Sequence, residues 1–154
     1  EILRCLVGSE MCIRDRVSEE AKKLIQVTKE CFFEGIKYAK AGNHLFDISG
    51  AIGRYAEERG YGVVRDLCGH GIGTALHEAP EIPNYEVGRK GVKLRPGMTL
   101  AIEPMINIGT YEVDWLDDDW TVVTRDGSLS AHYENTILIT EGEPRILSLT
   151  CDNE

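Results

Sequence analysis

Apolar residues first recur at helical spacing, at Ala21, Leu24, Ile25, Thr28, Cys31, Phe32, Ile36 and Ala39. Lys22, Lys23, Gln26, Lys29, Glu30, Glu34 and Lys37 fill the other side. This rhythm predicts an amphipathic helix lying over a core. Ser18 is placed to cap it, and Glu19 and Glu20 fall where the positive end of the helix dipole favours acids. After Ala41-Gly42-Asn43 a second helix is predicted from about Leu45 to Arg59. Leu45, Ile48, Ile52, Tyr55 and Ala56 would point inward, and Gly60 would stop it. His44, at its start, reads as exposed or capping.

The period then changes to two. Tyr61 to Leu67, rich in Val and Tyr, predicts a strand, and Met98 to Asn107 predicts another. In the second, Met98, Leu100 and Ile102 share one face, while Thr99, Ala101 and Glu103 share the other. Trp120 to Thr124 and Leu129 to Thr140 are expected to pair as a hairpin across Arg125-Asp126-Gly127-Ser128, because Asp-Gly is a strong turn signal. On the later strand Ser130, His132, Glu134 and Thr136 form a polar face. A last strand is expected at about 146 to 149. Residues 81 to 97, punctuated by Pro83, Gly88, Gly91, Pro96 and Gly97, read as mostly loop. Residues 1–16 follow neither period, and the expectation is a non-native segment joined to a truncated gene. The folded domain would then be residues 17–154.

Composition narrows the classes. The 154 residues are 42% hydrophobic and 28% charged, enough for one domain with a real core. A net charge of −9 argues against phosphate-backbone binding, which needs clustered Lys and Arg. The five cysteines include no C-x-x-C pair, so a thiolate zinc site is not indicated and a reducing cytoplasm fits. No apolar run reaches the roughly 18 residues of a membrane span.

The chemistry is concentrated in Cys68-Gly69-His70-Gly71-Ile72-Gly73-Thr74-Ala75-Leu76-His77-Glu78-Ala79-Pro80. Glycines let backbone approach a ligand closely, and imidazoles bind divalent ions or move protons near neutral pH. Glu103 interrupts an apolar strand, where an unpaired charge is expensive to bury, so it needs a cation or a proton. Two histidines and the two glutamates Glu103 and Glu134 make an N/O donor set suited to hard or borderline divalent ions. Carboxylates can bridge two such ions. Spacing alone permits a hydrolase, an oxygenase or a binding site.

Three ordered blocks go further. Cys68-Gly-His70-Gly-Ile-Gly leading to His77-Glu-Ala-Pro, then Arg95-Pro-Gly-Met-Thr-Leu-Ala-Ile-Glu103-Pro-Met-Ile-Asn, then Trp120 through Ser130-Ala131-His132-Tyr133-Glu134-Asn-Thr resemble the type I methionine aminopeptidase family, from about Val17 to Leu149. The resemblance implies an α/β (α+β) pita-bread fold, here its C-terminal half, with an antiparallel sheet covered by two helices. It implies a metalloexopeptidase with two divalent ions (Co, Mn, Fe(II), Zn or Ni). His70, Glu103 and Glu134 would be metal ligands, and Glu103 would also move protons. His77 would contact the scissile amide, and Leu76 and Trp120 would flank the methionine pocket. The implied partner is the N-terminus of a nascent polypeptide near the ribosome, met by a cytoplasmic monomer with no nucleic acid or membrane. Proline-specific peptidases share the fold, and a non-catalytic pita-bread binding protein is a further alternative; Pro104-Met105-Ile106-Asn107 and the Trp120 to Ala131 block look like the methionine-specific branch.

One departure is expected to matter. The family completes its site with two aspartates on a hairpin before the first helix, and only Asp15, in the wrong context, lies in that region. Asp47 and Asp66 match neither ligand. A chain with three of five ligands is expected to be inactive by itself.

Overall fold

The computed structural model describes residues 17–149. The expectation for residues 1–16 lies outside them. Helix α1 spans Glu19–Ile36, and the Ser18 hydroxyl accepts from the Ala21 amide at 3.1 Å, satisfying one of its free N–H groups. Its inner face is Leu24, Val27, Thr28, Cys31 and Phe32. Ile25, expected inward, is 48% exposed. The buried stripe takes in Val27 instead, on the opposite flank of the line through Leu24, Thr28 and Cys31. Helix α2 spans Leu45–Glu57 and is entered by a reciprocal cap in which the His44 amide donates to Asp47 Oδ2 at 2.8 Å. Asp47 thus serves the helix start.

Strands follow in chain order: β1 (Gly62–Val63), β2 (Gly69–Gly71), β3 (Glu78–Ile82), β4 (Thr99–Ile102), β5 (Met105–Asn107), β6 (Val113–Trp115), β7 (Val122–Thr124), β8 (Ser130–His132), β9 (Asn135–Leu138) and β10 (Arg145–Ile146). They form a five-stranded sheet in the order β10-β9-β4-β2-β3, a three-stranded sheet β1-β5-β8, and the ribbon β6-β7. Every pairing is antiparallel.

Several predicted strands are corrected. The strand expected over 61 to 67 is only Gly62–Val63, and the glycine-histidine segment contains β2 and leads into β3, which runs into the stretch expected as loop from residue 81. The run expected as one strand over 98 to 107 is two, β4 and β5, belonging to different sheets and separated by Glu103-Pro104. Proline has no N–H for a ladder, so the pairing must break there. The run from Leu129 to Thr140 breaks in the same way at Tyr133-Glu134 and passes from the sheet of β8 to the sheet of β9. The Tyr133 amide donates to the Pro104 carbonyl at 3.1 Å, tying the two breaks together.

The predicted hairpin between 120–124 and 129–140 does not form. β7 pairs instead with β6, in the register Val113↔Thr124. The Asp126-Gly127 turn exists, with Gly127 at φ +72°, but Asp126 turns the chain back over the Thr110 amide. β8 therefore returns alongside β5, and the Trp-bearing ribbon is an excursion between them.

Helix α1 packs on α2 and on β5 and β8, while α2 also meets β1 and β3. Leu24, Phe32, Leu45, Ile48 and Ile52 meet Leu100, Ile102, Ile106, Ile137 and Ile139 in one buried cluster. Each such side chain contributes about 1.5–3 kcal/mol by leaving water. This core holds the two strand breaks in place from behind. Among the described residues no helix is long and apolar enough to cross a membrane.

Candidate metal centre

β2 lies between β3 and β4, and His70 pairs with Ala101 on β4 and Glu81 on β3. Only glycine fits on either side of it. A Cβ on Gly69 would press on the Ala101 carbonyl, and one on Gly71 on the Ala79 carbonyl. This close backbone approach seats the His70 ring over the end of β4, where Glu103 begins the break.

His70 Nδ1 is 2.8 Å from the Gly71 carbonyl oxygen. A carbonyl only accepts, so Nδ1 carries a proton, and in the neutral ring Nε2 is the nitrogen that keeps a lone pair. Nε2 stands 3.2 Å from Glu103 Oε1, and both side chains are only about one-seventh exposed. Glu103 Oε1 is buried and accepts no hydrogen bond. Two electron pairs facing one another in a partly dry site need a proton or a cation between them. The orphaned oxygen and the tautomer of His70 therefore fit a divalent ion.

The other oxygen of Glu103, Oε2, lies 3.5 Å from His132 Nε2. Glu103, His132 and Glu134 each place one donor atom within 4.8 Å of the others. The structure sets His70 against Glu103 and gathers Glu103 with His132 and Glu134; His70, Glu103 and Glu134 are the expected ligands, and His132 is not among them. Sequence reasoning had put His132 on the polar face without a role; its two-residue spacing from Glu134 was the available signal. Asn84, fully buried, was also missed. Its Nδ2 donates to the Glu103 carbonyl at 2.8 Å, satisfying a backbone group that the break removes from the ladder.

His77 is exposed at the mouth of the cavity, its ring centroid 4.3 Å from that of His70. Its segment is held by Glu78, whose Oε1 accepts from Thr74 Oγ1 at 2.6 Å and from the Ala75 amide at 2.7 Å. Those bonds keep the Glu78 carboxyl below its usual range. Cys68, Gly69, His70, His77, Glu78, Ala79 and Glu81 line the cavity. Burial, then the charge of Glu81, pushes the Cys68 thiol up, so it stands as a thiol rather than a nucleophilic thiolate. Leu76 and Trp120 are 68% and 80% exposed and do not line this cavity.

The family description "Metallopeptidase family M24" matches residues 7–141. A methionine aminopeptidase of Clostridium acetobutylicum is 59% identical over 133 residues, covering 86% of this chain and 53% of that protein. The crystal structure of a methionine aminopeptidase from Thermotoga maritima superposes with a TM-score of 0.82 at 49% identity, over 85% of this chain and 53% of that one. A prolidase of Pyrococcus horikoshii, at TM-score 0.66 and 24% identity over 88% of this chain and 33% of that one, shares the fold alone. This is the pita-bread fold, and the chain spans about half the length of the curated relatives it matches. By the extent of the family match and the architecture it shares with those structures, the chain belongs to metallopeptidase family M24.

Proposed function

We propose that these residues are the C-terminal part of a dimetal aminopeptidase that removes methionine from the N-termini of nascent proteins in the cytoplasm. The observation that carries the reading is the approach of His70 Nε2 to the partnerless Glu103 Oε1 at 3.2 Å, with Glu134 beside it. His70, Glu103 and Glu134 would hold two divalent ions. When bound, the ions supply Lewis acidity and a water acidic enough to attack near neutral pH.

The chain's own residues do the rest. Glu103 accepts the water's proton and passes it toward the leaving amine. His77 donates to the scissile amide as charge develops on its oxygen. Leu76 and Trp120, both exposed here, would flank the methionine thioether once substrate and the remaining strands of the domain surround them.

The 154 residues hold three of the five ligands implied by the family resemblance, and we propose that alone they release no methionine. The test is methionine release from Met-Ala-Ser with manganese, cobalt or iron(II), set against cleavage of Xaa-Pro peptides. A protein that joins these residues to an Asp-bearing hairpin is expected to cleave the first and not the second. Preference for Xaa-Pro would overturn the methionine reading, and turnover by the 154 residues alone would overturn the incomplete site.

A further inference from the structure

We infer that the strap from Arg89 to Arg95 is a docking surface for the phosphate backbone of a single-stranded nucleic acid. It uses no residue of the metal centre and does not depend on the peptidase reading.

Four of the chain's 17 cations, Arg89, Lys90, Lys93 and Arg95, fall within seven consecutive positions, and no Asp or Glu occurs from Val87 to Ile102. All four are exposed, and among the described residues none forms an ion pair. Lys22, Lys37, Lys40, Arg54 and Arg125, by contrast, each pair with a carboxylate. The strap is also held still. It runs antiparallel to the approach to α2, His44 opposite Lys93. The Leu45 amide donates to the Val92 carbonyl at 2.8 Å, the Phe46 amide to that of Lys90 at 3.1 Å, and the Leu94 amide to that of Asn43 at 2.8 Å. Leu94, between Lys93 and Arg95, is buried. Cations set on a fixed backbone have less freedom to lose on binding.

Arg89 and Lys90 line a cavity of about 610 Å³ together with the rings of Tyr38 and Phe46. Its two carboxylates are already engaged, Asp47 by the His44 amide and Glu86 by Arg54 at 3.3 Å. The Arg89 guanidinium lies 5.4 Å from the centre of the Phe46 ring, a stacking that orients it and leaves its N–H groups free. Glu81 lines a neighbouring cavity with Arg89 but forms no ion pair with it. The net charge of −9 opposes any polyanion at long range, yet salt near 0.1 M screens charges beyond about 10 Å, so the local cations decide. An anionic membrane would need an apolar anchor, and the strap's only exposed large apolar side chain is Val92. An acidic polypeptide could meet the cations but leaves the aromatic cavity unused. Cations beside exposed rings suit phosphates on either side of an unpaired, stacked base.

The experiment titrates fluorescently labelled oligouridylate and oligothymidylate, each of about twelve nucleotides, with the full chain and reads anisotropy. The expected dissociation constant is about 1–100 µM near physiological salt. Log affinity should fall against log salt with a slope of about −2 to −3, as three or four phosphate contacts give. Lys90→Gln with Lys93→Gln should weaken binding at least about tenfold and flatten the slope by about 1.4. The matched charge loss on α1, Lys22→Gln with Lys23→Gln, should leave the slope unchanged. Tighter binding of one oligonucleotide would say whether RNA or DNA supplies the phosphates, and either supports docking. No binding at the lowest salt, or an equal loss in the α1 variant, would overturn it. So would poly-glutamate or phosphatidylserine vesicles held as tightly as the oligonucleotides. Should the strap variant fold poorly, oligouridylate added to the ¹⁵N-labelled wild type is expected to shift the amides of residues 89 to 95, and shifts confined to other segments would overturn the inference. Methionine release is untouched by any of these outcomes.

Discussion

Glu103 lies directly across from Glu134. The register that pairs Ile102 with Asn135 and Met105 with His132 runs unbroken through the gap between the two sheets, so the two carboxylates are opposed where neither strand is laddered. Like charges placed opposite one another are destabilising. The fold tolerates them at a point where Pro104 has already ended one strand, and a bound cation would turn the repulsion into attraction.

That opposition makes the site a stability switch. Glu103→Gln removes one charge and lets an amide N–H face His70 Nε2, so the metal-free variant is expected to melt higher than the metal-free wild type. Divalent ion should stabilise the wild type by about 2.7 kcal/mol when present at one hundred times its dissociation constant. The variant should show little of that gain. Thermal melts with and without Co²⁺ check both halves.

Asn84 holds the backbone at the same break. Replacing it by Leu leaves the Glu103 carbonyl without its donor, at a cost of about 1–3 kcal/mol. Denaturant unfolding should reveal the loss, and Co²⁺ affinity should fall because the carboxylate is no longer aimed.

Glu78 fastens the segment that carries His77 through its bonds to Thr74 and Ala75. In Glu78→Ala the amide of Ala75 should exchange roughly tenfold faster with solvent, with core amides unchanged. Hydrogen exchange that stays at the wild-type rate would mean that other contacts hold the loop.

Acid should loosen the turn before β8. Hydrogen bonds from Ser128 and the Thr110 amide hold the Asp126 carboxyl down at about 2. Because its folded value lies below the unfolded one, its contribution is present above about pH 4 and is lost as pH falls toward 2. Asp126→Asn should remove that part of the acid sensitivity. The check is the pH dependence of the Thr110 and Ser128 amide shifts, which should be steep in the wild type over this window and flat in the variant.

Much of this architecture is legible along the chain. The caps at Ser18 and His44, the core stripes of both helices and the polar face holding Glu134 follow from local spacing, because helical and pleated periods are imposed within a few residues. The glycines around His70 are visible in the sequence, but their cause, the carbonyls of Ala101 and Ala79 on the neighbouring strands, is tertiary. The errors share one origin. Ile25 lies at the edge of the α1 stripe and lost burial to Val27 on its other flank, and the hairpin expected across Asp126-Gly127 lost to a pairing of β7 with β6. In each, a neighbour distant in sequence decided between alternatives that local pattern leaves equal.

The sequence by itself determined which residues are chemically capable: an imidazole between glycines, and a carboxylate in each of two strand-forming runs. Only the tertiary structure decided that both carboxylates occupy breaks, that they oppose one another, and that His132 joins them. Periodicity says which face a side chain takes, whereas what it meets there depends on strand register, set by the Pro104 gap and by hydrogen bonds between residues about thirty positions apart.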